Sequence, residues 1–275
     1  MILSVAISAT NPINLQRCLE SFSDINSTNY EIIINNATES DSISEIISRL
    51  GYIEIRKRTN IVEARYLTGS KANGNFTLLL DDTRYMDKPS FHNLIKNLKN
   101  YEKAITVINE YQSGEGCYDR LVRRQNSRSY NYSSHLDPIK TRFILPRLYE
   151  SNLLKRSLLK IREKLPQSIF YSLRALDLEL IYFESYAEFH KVTFFPNVII
   201  YHLPTGGVIP EAKKFFKYGY NTRLLYSSDS FGNLGNLRGR FRNPTNFVDA
   251  LEIAFITLLR GVPFGLGYIY KMLKG

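Results

Sequence analysis

Apolar positions in the first third of the chain switch between two periods. Residues 3–7, 30–34, 52–56 and 76–80 are short runs rich in apolar and β-branched side chains, with the length and texture of buried strands. Between them the apolar positions recur at helical spacing, as Leu15, Leu19 and Phe22, and again as Ile43, Ile46, Ile47 and Leu50. Polar residues mark the ends of these helices. Asn11 stands before Pro12, Ser40 and Asp41 precede Ile43, and Gly51 follows Leu50. Asn60 with Glu63 makes a capping box for a third helix running towards Gly74. Strand–helix alternation of this kind predicts an α/β fold, a parallel sheet with helices on both faces.

Further along, residues 103–109 read as another strand, 153–161 as a helix, and 192–202 as the segment holding the last strand. Residues 112–134 are polar and crowd Arg120, Arg123, Arg124 and Arg128 together, which predicts a surface loop near the site. From Leu203 the composition shifts. Residues 211–226 mix Lys, Arg, Phe and Tyr at helical spacing, 227–243 form a Gly-, Asn- and Arg-rich linker, and 247–273 alternate apolar blocks with Arg260 and Pro263. Those interruptions argue against a clean membrane span. They suit an amphipathic surface in the headgroup region, a helical hairpin on the sheet, or a dimer contact. The expected organisation is a catalytic unit over 1–205, divided into nucleotide-binding (1–110) and acceptor (111–205) halves, with an extension over 206–275.

The first candidate chemistry is Asp81–Asp82, directly after the apolar run 76–80. The carboxyl ends of core strands are where open α/β sheets bind ligands, and a hard divalent cation would relieve the repulsion between adjacent acids. A net charge of +10 favours anionic partners such as nucleotide phosphates, a lipid surface or nucleic acid. Nucleic acid is disfavoured because the basic residues are dispersed and no recognition motif appears. Cys18 and Cys117, the two cysteines, cannot build a disulfide framework or a cysteine metal site. Met1 opens no basic leader with an apolar run, so a cytoplasmic location is expected.

These pieces, in this order, resemble the nucleotide-binding half of the family 2 glycosyltransferases over residues 1–85. The turn I-S-A-T-N at 7–11, the amide pair Asn35–Asn36, Ala64-Arg65-Tyr66 in place of A-R-N, and Ala72, Gly74 and Phe76 leading to the acids carry the resemblance. It implies a GT-A-like fold: a Rossmann-type mixed sheet flanked by helices, with a helical C-terminal extension. It also implies nucleotide-sugar contacts at Ala9, Asn11, Asn36, Arg65, Asp81 and Asp82. Asp81 would lie near the ribose, and Asp82 and His202 would hold Mg²⁺ or Mn²⁺. In the segment 174–180 (RALDLEL), Asp177 matches the acid of the family's E-D-x-x-L motif and would be the general base, with Glu179 as the alternative. The chain departs from the family at three places: amides stand at Asn35 and Asn36, Thr83 ends the acidic motif, and Leu176 replaces the Glu before Asp177.

The function implied is inverting transfer of a sugar from a nucleoside diphosphate sugar to a hydroxyl acceptor, a glycan or a lipid-linked one. The enzyme would sit peripherally on the cytosolic face of a membrane. Two alternatives stay open. A nucleotidyltransferase would want a Gly-rich phosphate loop after the first strand, which Ser8-Ala9-Thr10-Asn11 does not supply. A sugar-nucleotide-binding or assembly protein with impaired catalysis would suit the altered acids.

Overall fold

A computed structural model describes all residues except 23–28, 101–104, 130–144, 205, 229, 232–243 and 275, and leaves aside the side chains of 126–129. Strands β1 (Leu3–Ala9), β2 (Tyr30–Asn36), β3 (Ile53–Arg56) and β4 (Phe76–Asp81) pair in parallel, as the alternation predicted. Helices α1 (Pro12–Glu20), α2 (Asp41–Leu50) and α3 (Ile61–Lys71) connect them. Asn11 caps α1 by accepting from Ile13 and Asn14 N–H, and Asn60 caps α3 by accepting from Glu63 N–H at 2.9 Å.

The sheet continues with the two further strands expected over 103–109 and 192–202, seen here as β6 (Ile105–Gln112) and β8 (Thr193–His202). Two short ones, β5 (Arg84–Met86) and β7 (Leu148–Glu150), were not found by sequence reading. Together they complete the order β3-β2-β1-β4-β7-β6-β8-β5. β7 runs antiparallel between β4 and β6, and β5 runs antiparallel to β8 at the far edge, so the sheet is mixed. Because β5 begins three residues after the end of β4 yet pairs at the far edge, the sheet curls and brings its last strands back to the β4 terminus.

Both faces are covered. Val5, Ile7, Leu78 and Leu80 pack into one layer with Leu15 of α1, Ile43 of α2 and Phe91 of α4 (Lys88–Leu98). Ala6 and Leu79 face the other layer, with Val62 of α3, Leu154 and Leu158 of α6 (Ser151–Lys164) and Ile181 of α8 (Asp177–Phe189). Double-sided burial explains why the runs of β1 and β4 read as almost continuously apolar. Gly74 is needed where the chain enters β4: a Cβ there would lie 2.6 Å from the Leu3 and Ser4 backbone.

The expected loop over 112–134 is corrected. Gln112 ends β6, and Cys117–Ser129 form helix α5. Two of its arginines are engaged within the protein. Arg123 lies over the Tyr111 ring and near Glu115, and Arg124 pairs with Glu252 at 2.6 Å. The Arg128 side chain, residues 130–134, His135, Lys103 and most of the expected linker lie outside the described residues.

After the short α7 (Gln167–Phe170), α8 and β8, two helices close the chain: α9 (Val208–Tyr226) and α10 (Phe247–Lys274). They cross at paired glycines. A Cβ on Gly219 would meet the Phe264 carbonyl, and one on Gly267 would meet the Phe216 carbonyl, at 1.8 and 2.0 Å. Among the described residues no helix is long and apolar enough to cross a membrane.

Candidate active site

The carboxyl ends of β1 and β4, the start of α8 and one face of α9 converge. Arg65, on α3 and only 1% exposed, ties this region together. Its Nε donates to Asp177 Oδ2 at 2.8 Å, its Nη1 donates to the Leu80 carbonyl, and its Nη2 lies 3.8 Å from Asp81 Oδ2. The candidate base and the first strand-end acid are therefore held by one buried guanidinium. Asp177 begins α8, and the residue before it, Leu176, sits in the left-handed region at φ 72°. A branched apolar residue adopts that conformation only at a cost, which the surrounding packing must sustain. Helix α9 helps: Arg174 N–H donates to Asn221 Oδ1 at 2.8 Å, and Asn221 is buried. Glu179 lies in the same first turn of α8. The hydroxyl of Tyr218, also from α9, titrates well above its usual range because of burial and the nearby Glu179 and Asp177 carboxylates.

Asp81 faces this convergence. Burial would raise its carboxyl, but the Arg84, Arg147 and Arg65 charges hold it well below the usual carboxylate range. Arg84 Nη1 donates to both Asp81 oxygens, and Thr83 Oγ1 donates to one of them. Arg84 Nε reaches Glu110 Oε2 at 3.4 Å, while Arg147 Nε donates to the other oxygen of Glu110. Burial opposes ionisation of Glu110, yet Arg147 and Arg84 bring it down to about 2. Acids and arginines are thus matched: Asp177 with Arg65, Asp81 with Arg84, Glu110 with Arg147.

Asp82 points the other way. It is 3% exposed, and its Oδ2 accepts from Thr10 N–H at 2.5 Å, Asn11 N–H at 2.7 Å and Thr10 Oγ1 at 3.1 Å. The carboxylate fastens the β1–α1 turn to the end of β4. Asp82→Asn is accordingly expected to destabilise the fold by about 1.5–3 kcal/mol, the worth of hydrogen bonds to a charged group. Urea unfolding would show it, and an unchanged midpoint would refute this anchoring role.

Asn36, expected at the nucleotide sugar, is fully buried and engaged by its neighbours. Its Nδ2 donates to the Ser40 carbonyl, Ser44 Oγ and Glu54 Oε1, and its Oδ1 accepts from Ser40 N–H. Asn35 is equally engaged with the Ile55 and Lys57 carbonyls and Thr59. Ala9 is buried beneath the turn, and the Asn11 side chain caps α1. His202 stands opposite Arg84 in the β5–β8 ladder. Gln112 Nε2 donates to Asp119 and the Leu203 carbonyl, so Gln112 Oε1 faces His202 Nδ1 at 3.0 Å and that nitrogen carries the proton. Burial, reinforced by the Arg84 charge, lowers His202 to about 3 and keeps it neutral.

The donor set expected for Mg²⁺ or Mn²⁺, Asp82 with His202, does not fit a cation. Asp82 is turned into the β1–α1 turn, and the carboxylate that does face the site, Asp81, is occupied by Arg84. Among the described residues no three of His, Cys, Asp and Glu stand together as a metal site. Sequence reading missed Arg84, Glu110, Arg147, Tyr218 and Asn221 as site residues. Only Arg84 carried a local signal, being a cation placed directly after the acidic motif at a strand end.

No curated protein matches the chain by sequence. Solved structures do match in fold. S. aureus TarS superposes with a TM-score of 0.56 at 15% identity over 83% of this chain, which spans 40% of that one. The 1–349 portion of TarS in complex with UDP gives 0.56 at 15% identity, and with UDP-GlcNAc 0.55 at 14%; each comparison covers 83% of this chain, against 67% and 68% of those chains. The family model for glycosyl transferase family 2, a family generally dependent on divalent metals, matches residues 4–161. With the mixed, helix-flanked sheet described above, that match shows that the chain belongs to glycosyl transferase family 2, a glycosyltransferase of GT-A-like fold.

Proposed function

We propose that the chain inverts configuration as it transfers a sugar from a nucleoside diphosphate sugar to a hydroxyl acceptor, with Asp177 as general base. The observation that carries this reading is the Arg65 bridge. One buried guanidinium fixes Asp177 at 2.8 Å and stands 3.8 Å from Asp81, at the strand end where α/β sheets bind nucleotides. Asp177 takes the proton of the acceptor hydroxyl as its oxygen bonds to the anomeric carbon and the bond to the diphosphate breaks. Held by Arg65 at 2.8 Å, the carboxylate is kept correctly turned. Asp81 lies where the ribose of the donor would be bonded, and the β1–α1 turn at Ala9 and Asn11 forms the adjoining wall. Since Asn36 is engaged locally, base recognition falls to other groups of that turn. A thermal-shift screen of UDP-, GDP- and dTDP-sugars tests the donor class. Stabilisation by one base is expected, and indifference to all three would refute it.

Residues 1–205 form the catalytic unit in this reading, and 206–275 form an extension that both completes the site and attaches the enzyme to the cytosolic face of a membrane, near a glycan or lipid-linked acceptor. The support for attachment is the outer face of α10, where Phe247, Leu251, Leu258, Val262, Leu266 and Leu273 are all exposed at helical spacing. Lys271 and Lys274 lie over the Tyr220 and Tyr270 rings beside it. A basic, aromatic-rich helix suits the headgroup region, each cation near an anionic leaflet adding about 1 kcal/mol. The full chain is expected to float with anionic vesicles at low salt, and Leu258→Glu with Leu266→Glu to stay behind. Equal behaviour of the two proteins would make this face a protein contact instead.

A further inference from the structure

Family 2 enzymes are generally metal-dependent, yet here the acids at the β4 end are already matched by arginines. A dication would have to displace Arg84 from Asp81 and then sit among Arg65, Arg84 and Arg147. Thr83 stands where the family's acidic motif ends in a second carboxylate, so that acid is absent, and the next residue is the arginine that occupies Asp81. Arg84 is well suited to a different task. Its Nη1 and Nε are held by Asp81 and Glu110, which fix the plane of the guanidinium, while its Nη2 donates to no described residue. The side chain keeps 14% of its surface exposed. Lys214 of α9 lies 3.8 Å from Glu211, keeps 43% of its side chain exposed, and falls within the fields of Arg84, Arg260 and Glu110. A planar guanidinium with open N–H groups and a nearby ammonium make a receptor for paired phosphates.

We propose that Arg84, with Lys214 beside it, holds the diphosphate of the donor and neutralises it as it leaves, so that this enzyme binds its donor nucleotide without a divalent cation. The inference rests on the nucleotide-sugar reading above and specifies the charge chemistry of that site. As the bond between the anomeric carbon and the diphosphate oxygen breaks, the electron pair stays on that oxygen. The new negative charge is met by the N–H groups of Arg84 and Lys214, which donate hydrogen bonds without giving up a proton.

Calorimetric titration of UMP and UDP, each in EDTA and in Mn²⁺, tests the proposal. In EDTA, UDP is expected to bind about 10- to 100-fold more tightly than UMP, the range for hydrogen bonds to charged groups. Mn²⁺ is expected to change neither affinity by more than about twofold. Arg84→Gln should close the gap between UMP and UDP, and Arg84→Lys should restore part of it. The ratio of the two affinities is the readout, because a change at Asp81, which Arg84 holds, would move both nucleotides together. A gap that appears only with Mn²⁺, or one that survives Arg84→Gln, would overturn the proposal. If Arg84→Gln does not fold, the EDTA and Mn²⁺ titrations of the unaltered protein decide by themselves. UDP binding that requires Mn²⁺ sinks this inference alone. No binding of UDP, GDP or dTDP under either condition defeats the donor reading and the inference with it.

Discussion

Asp177→Asn is expected to lower turnover by on the order of 10²–10⁴, the usual contribution of a positioned general base. The amide keeps an oxygen that can accept from Arg65 Nε, so the junction between α3 and α8 should survive. Donor affinity should therefore hold while the chemical step fails, a pattern that assigns the loss to the transition state rather than to binding. Glu179→Gln is the necessary comparison, because Glu179 stands on the same first turn of α8 and near the same Tyr218 hydroxyl. If Glu179→Gln is inactive and Asp177→Asn turns over normally, the two acids have been assigned the wrong way round. Single-turnover rates with a saturating donor make the distinction without knowledge of the physiological acceptor, because water suffices as a slow one.

Arg65→Leu is expected to have the largest effect on stability. The side chain is almost completely buried and serves Asp177, the Leu80 carbonyl and Asp81 together. Removing one partner of a buried ion pair leaves an uncompensated charge, at a cost of about 3–5 kcal/mol. Urea unfolding should show a lower midpoint with an unchanged slope, meaning that stability has changed and compactness has not. Arg65→Lys should recover only part of the loss, because an ammonium cannot span three acceptors in one plane as the guanidinium does. Full stability in Arg65→Leu would show that Asp177 and Asp81 are solvated and that the bridge does not organise the site.

Much of the fold was legible because β1, β2 and β4 are buried on both faces and the ends of their helices are marked in the sequence. Asn11 before Pro12 and Gly51 in the left-handed region act as the pattern predicted. Asn60 caps α3 without the reciprocal bond of a capping box, because the Glu63 carboxylate accepts from Lys57, and Ser40 makes no side-chain cap bond. The second half was less legible for physical reasons. β5 and β7 are three residues long and depend on neighbours distant in sequence, so no local period announces them. Helix α5 was taken for a loop because its arginines and polar residues dilute the apolar stripe. Its structure draws on contacts with α10, such as Gln125 with Asp249 and Glu252.

The site divides in the same way. The sequence identified the strand-end acids and Asp177 but not which carboxylate faces inward, because adjacent residues on a strand point to opposite sides and the choice depends on the turn packed against them. Asp82 meets the backbone N–H groups of Thr10 and Asn11, and Asp81 is left to the cleft. Arg84, Glu110 and Arg147 come from three different strands or strand entries and meet only once the sheet has curled. The role of α9 was hidden too, since a basic, aromatic helix reads as surface until Asn221 and Tyr218 are seen beside Asp177.

The central claim is direct displacement at the anomeric carbon with Asp177 as base. It is tested most directly by the configuration of the sugar released when water serves as acceptor. Proton NMR of an α-linked nucleoside diphosphate sugar incubated with the protein, recorded before mutarotation mixes the anomers, should show the β-anomer appearing first and no such signal with Asp177→Asn. Initial release of the α-anomer, or undiminished release by Asp177→Asn, would contradict the account.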